Sequence, residues 1–205
     1  MPDASLSRLE LERRRPLWAA MSELFLDTEV RGFVPPLALK CAQSGYDEPT
    51  LERIFWAEVF PLGIGNLQQV AGEWAALTLD EAELARNAVK GKLPKVRKAL
   101  SGWMVESEWT AALTLLRWLR GEPTERWPLL VRAWVLLSRR YFERPGEPSL
   151  FSLADEVSAL RGEGVDLGAE WQRFEPIARG MLLDDEEGSP EARGEDVRRL
   201  LLPRE

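Results

Sequence analysis

The sequence contains no histidine and a single cysteine, Cys41, and these absences close off large areas of chemistry. Without imidazole there is no Ser-His-Asp or Cys-His catalysis, no histidine proton switch and no His-containing zinc site. One thiol makes neither an intrachain disulfide nor a thiolate metal site, so nothing calls for an oxidising compartment. Long hydrophobic runs are missing too. Leu113 to Leu119 and Leu129 to Leu137 are the most apolar stretches, and Arg117 and Arg132 interrupt them well short of the roughly 20 apolar residues a bilayer span needs. Met1 to Trp18 carries Glu10, Glu12 and the run Arg13-Arg14-Arg15, with no apolar core for an export signal. A reducing, cytoplasmic location is expected.

What is present is a chain of 205 residues, 45% hydrophobic and 30% charged, long enough to bury a core as one domain or two small halves. Its formal net charge of -7 opposes general binding to nucleic acid and favours encounter with a basic partner. Helical spacing dominates. Leu17, Trp18, Met21, Leu24 and Phe25 recur at three- and four-residue steps, with Pro16 as a helix start or kink. A second helix is expected from Pro35 or Pro36 to Gly45, and a third from Pro49 to Val59. That helix stops before Pro61, and the run Gly63-Ile64-Gly65-Asn66 reads as a turn. Leu67 to Leu77 is helix-like, and Asp80 reads as the N-cap of a helix ending at Gly91.

In the second half, Ser107 is expected to cap a helix carrying Trp109, Ala112, Leu113, Leu116 and Leu119 as far as Gly121. Thr124 then opens one carrying Trp127, Leu130, Val131, Trp134, Leu137 and Tyr141. Ser152 with Asp155 resembles a capping box, Asp166 is a further N-cap, and a short helix from Asp196 to Leu202 is expected at the end. Period-two alternation is nowhere sustained, so the expected fold is an all-α multi-helix bundle of about seven to ten helices. The expected division is an N-terminal half, 1–91, a C-terminal half, 92–183, and an acidic tail, 184–205.

Few residues stand out as candidates for a site. Nine tryptophans are many for this length; Trp18, Trp109, Trp127 and Trp134 sit in register with aliphatic residues and read as core, whereas Trp56, Trp74 and Trp103 are less well explained and read as candidates for exposure. Asp27, Glu29 and Glu73 are the acids most suggestive of a site. Asp27 and Glu29 follow an apolar run at a helix end, where negative charge gains nothing from the helix dipole, so a partner such as Arg14 or Arg15 is expected. The tail acids Asp184, Asp185, Glu186 and Glu187 complete the candidate partner-binding set. The basic run Lys90, Lys92, Lys95, Arg97 and Lys98 is a phosphate-contact candidate or a solvated face. Cys41 reads as a buried structural thiol, and no cofactor or metal site is evident.

The stretch from Arg14 to Glu29, with its arginine pair, Trp18 and Leu24-Phe25-Leu26-Asp27-Thr28-Glu29, resembles a family of small, uncharacterised bacterial proteins. Ser44-Gly45-Tyr46, Leu51 to Val59 and Asn66-Leu67 leading to Val70-Ala71-Gly72-Glu73-Trp74 extend the likeness over roughly the first 80 residues. The resemblance implies bacterial origin and a small helical fold, with no activity to carry over. By type, small acidic helical proteins of this kind also resemble the immunity proteins of bacterial toxin systems. The leading expectation is a non-enzymatic cytosolic protein-binding partner, most concretely such an immunity protein. The alternatives are a carboxylate or metal-dependent enzyme built on Asp27, Glu29 and Glu73, and a nucleic-acid-associated regulator.

Overall fold

A computed structural model describes residues 6–26, 29–67, 80–90, 102–143, 153–182 and 189–201. Every regular element among them is helical and none is a strand, so the chain is an all-α multi-helix protein. It forms two compact units, Met1–Leu116 and Arg117–Glu205; the division lies downstream of the boundary at residue 91 expected from the sequence.

The first unit opens with α1 (Arg8–Ser22), which starts where it does because the Ser7 hydroxyl accepts the Glu10 amide at 3.2 Å. Pro16 lies inside this helix rather than at its start. A 3-10 turn (Glu23–Phe25) ends it, and a second (Arg31–Phe33) leads into α2 (Val34–Ser44). Gly45 stops α2 in the left-handed conformation, φ 69°, which a residue with a Cβ adopts only at a cost.

The next stretch departs most from expectation. Helix α3 (Glu48–Arg53), capped by Asp47, passes directly into a π-helix (Ile54–Val59) and on into α4 (Phe60–Leu67). The helix therefore runs through Pro61, and the glycines read as a turn are helical. Gly63 is there for packing: a Cβ at this position would lie 2.5 Å from the Phe25 ring. Helix α5 (Glu81–Lys90) begins at Asp80 as expected, its carboxylate accepting the Ala82 amide at 2.8 Å. Helix α6 (Trp103–Arg120) starts a turn before the expected cap, so Ser107 is inside it.

An aromatic cluster forms the first unit's core. Phe55 stacks on Trp109 with centroids 4.2 Å apart and planes 6° apart, and Phe25, Trp56 and Phe60 pack around them. Each fully buried ring of this kind stabilises by about 1.5–3 kcal/mol through area removed from water.

The second unit holds α7 (Trp127–Phe142), entered through a 3-10 turn at Thr124–Arg126, then α8 (Leu153–Gly162), α9 (Leu167–Gly180) and α10 (Pro190–Leu201). Asp166 caps α9 as expected, accepting the Ala169 amide at 3.0 Å. Ala133, Leu136, Val157, Leu160, Val165 and Leu167 close the core between these helices, and Leu200 and Leu201 of α10 pack on it. Ser152 of the expected capping box lies outside the described residues.

Candidate functional site

Helix α1 turns one polar row inward. Glu10, Arg14 and Trp18 follow at four-residue steps, which places them on one face. Glu58, within the π-helix, meets that row with its side chain wholly buried. Arg14, with 5% of its side chain exposed, donates through a guanidinium nitrogen to Glu58 Oε1. The Trp18 indole nitrogen donates to Glu58 Oε2 at 2.8 Å. One carboxylate thus uses both oxygens to hold two side chains of the same helix.

The network continues outward. Arg14 Nε donates to Glu10 Oε2 at 3.3 Å, and the Tyr46 hydroxyl donates to the same oxygen at 2.8 Å. The Arg13 guanidinium lies over the Tyr46 ring, 4.2 Å from its centroid, and donates to the Ser44 carbonyl at 3.0 Å. Asn87 of α5 donates to the backbone carbonyl of Glu58 at 3.4 Å, while Arg15 forks onto both oxygens of Glu81 at 2.7 and 2.9 Å. Helix α5 is therefore tied to the same place.

Burial pushes the Glu58 carboxyl upward, against the opposing pull of its bonds from Arg14 and Trp18. Glu10 moves the other way: the Tyr46 hydroxyl, then Arg14 and Arg13, hold its carboxyl below the usual range despite partial burial. A second buried carboxyl, Glu108 on α6, is raised by burial; the Ser107 hydroxyl donates to it at 2.8 Å, Arg31 favours its charge and Glu29 opposes it. These contacts make the network a device for positioning α1, π-helix and α5 against one another, with Glu58 enclosed by protein donors.

The expected site residues are dispersed. Glu29 accepts the Arg31 amide at 2.9 Å and its Nε at 2.8 Å, so its partner is Arg31, not the expected Arg14 or Arg15. Trp56 is 2% exposed inside the aromatic cluster, which corrects the expectation of exposure: its indole fills space against Phe55 and Phe60. Trp103 is 68% exposed at the first turn of α6. Asp27, Glu73, Trp74, Asp184, Asp185, Glu186 and Glu187 lie outside the described residues, as does the basic run beyond Lys90. Cys41 is buried as expected. Among the described residues no cluster of three or more acids or thiols is arranged to hold a metal ion, and no helix is long and apolar enough to cross a membrane.

The central pair of the network, Arg14 and Glu58, escaped the sequence reading. The signal was there. Glu58 is the lone charge in Ile54-Phe55-Trp56-Ala57-Glu58-Val59-Phe60, and an acid in such a run is buried with a partner or breaks the helix.

A family model described as a domain of unknown function (DUF7079) matches residues 12–132, more than half of the chain. Arg14, Trp18, Tyr46, Glu58, Asn87 and Trp103 all fall within the match. No curated protein and no solved structure matches the chain.

Proposed function

The chain belongs to the DUF7079 family, whose function is unknown, and we propose that it acts by binding another protein rather than by catalysis. The observation that carries this reading is Trp103. Among the described residues it is the one exposed tryptophan, 68% accessible, while Trp18, Trp56, Trp109, Trp134 and Trp171 are buried. Leaving an indole in water forgoes the stabilisation that burial gives its neighbours, and tryptophan is enriched among the residues that carry binding energy at protein interfaces. Glu106 and Thr110, also exposed, lie on the same face one and two turns along α6.

The net charge of -7 supports a partner with a basic surface, because opposite fields speed encounter. The finer form of the proposal is a cytoplasmic immunity protein of bacterial origin that occludes a toxin. Co-expression with the product of the adjacent gene tests it: the two proteins are expected to co-elute on gel filtration, and the chain to protect cells from its neighbour. Separate elution and no protection would remove this reading. The enzyme alternative places its acids at Asp27, Glu29 and Glu73, and of these Glu29 is engaged by Arg31.

A further inference from the structure

The π-helix at Ile54–Val59 is the single π segment among the described helices. Its wide ladder is seen where the Phe60 amide donates to Phe55, five residues back. A π turn holds one more residue than an α turn and has poorer axial packing, and such turns concentrate at functional sites. It persists only where the surroundings fix it.

Here the fixing contacts are identifiable. All six residues of the segment are buried. Glu58, inside the wide turn, is held by Arg14 and Trp18 through its side chain and by Asn87 through its carbonyl. Relaxation to a regular α-helix would rotate α4 against α3 by about 100°, one residue's share of an α turn. Glu58 cannot keep both α1 donors through that rotation. At the far end Gly63 lies flush against the Phe25 ring, so the rotation would bring a neighbouring side chain onto it, and Phe25 must shift. A change of register would therefore have to break the Glu58 contacts and displace Phe25 together, which disfavours intermediate rotations.

We propose that the π turn is a two-state register switch, held in its π form by the Glu58 carboxylate and relaxing to α-helix when α1 is drawn away. The switch is read on the isolated full-length chain and stands whether or not a protein partner is found.

Backbone amide relaxation dispersion on the wild-type chain is expected to detect a minor state at residues 54–67 and in α1, with α7 to α9 silent. In Glu58→Gln a single acceptor oxygen faces two donors, so Arg14 or Trp18 meets an amide group instead. Loss of a charge-assisted bond is expected to raise the minor population on the order of tenfold or more, and the Phe60 amide to re-pair with Trp56. Trp18→Phe, which removes one donor, is expected to give a smaller rise at the same residues. A wild-type chain without dispersion at 54–67 would overturn the proposal. So would an E58Q chain that keeps the Phe60 to Phe55 bond and the wild-type exchange pattern. If E58Q fails to fold, the wild-type measurement and W18F decide alone.

Discussion

Replacing Arg14 by methionine is the sharpest probe of the first unit, because the change keeps most of the apolar stem and removes the charge together with its bonds to Glu58 and Glu10. Arg14 and Glu58 have 5% and 0% of their side chains exposed, so water cannot take over the lost contact. Trp18 would remain as a donor to Glu58, and Arg53 stands 4.0 Å away with a half-exposed side chain. Stranding one partner of a buried pair costs about 3–5 kcal/mol, a large share of the roughly 5–15 kcal/mol that stabilises a domain.

The cost is expected to depend on pH. The Glu58 carboxyl, already pushed up by burial, rises further without Arg14, and each pKa unit is worth about 1.4 kcal/mol. The carboxyl escapes the penalty by taking a proton, so R14M loses less stability at pH 5 than at pH 8. The double variant R14M/E58M removes both charges and should recover at least about 2 kcal/mol of the single variant's loss, leaving Trp18 without its acceptor. Urea unfolding followed by tryptophan fluorescence at the two pH values measures all of this. A loss below about 1 kcal/mol for R14M, or a double variant less stable than the single, would refute the reasoning.

Three further outcomes follow from individual contacts. Gly63→Ala forces a Cβ to within 2.5 Å of the Phe25 ring and should destabilise by about 1–3 kcal/mol, visible as a lowered thermal midpoint; an unchanged midpoint would mean the helix and ring separate freely. Tyr46→Phe removes the hydroxyl that does most to hold the Glu10 carboxyl down, so the Glu10 midpoint in a carboxyl NMR titration should rise. Because that folded pKa is depressed, Glu10 stabilises the fold above its unfolded value and the benefit is lost as pH falls through the folded one; Y46F should narrow that acid window. Glu58, with a raised folded pKa, contributes with the opposite sign: its benefit is full below the unfolded value and lost as pH rises through the folded one. Tyr141→Phe deletes a buried hydroxyl that has no hydrogen-bond partner in the structure and should be neutral or stabilising by about 1 kcal/mol in thermal unfolding.

Helix location was largely legible from the sequence because it rests on local signals. The Trp109 to Leu119 stripe, the Gly45 stop and the Asp80 and Asp166 caps all depend on spacing or on one side chain bonding a nearby amide. Breakers misled where tertiary contact decided. Gly63 is read as a turn residue, yet it is small because Phe25 lies against it. Pro61 is read as a stop, yet the helix passes through it immediately after the π-helix. The polar network was legible only at its Glu58 end, as a lone acid in an apolar run. Charge in Arg13-Arg14-Arg15 reads as surface, and nothing local says that the middle arginine turns inward to a carboxylate 44 residues away. Of the tryptophans read as candidates for exposure, Trp103 is exposed, whereas Trp56 is buried because Phe55 packs against it, a contact no local signal announces.

The claim that the molecule works through its exposed indole is tested most directly by titrating wild-type chain and Trp103→Ala against the co-expressed product of the adjacent gene. Truncating an interface anchor costs about 2 kcal/mol or more, so W103A should bind at least tenfold more weakly while melting at the wild-type temperature. Equal affinities for the two chains, or no binding by the wild type, would contradict the account.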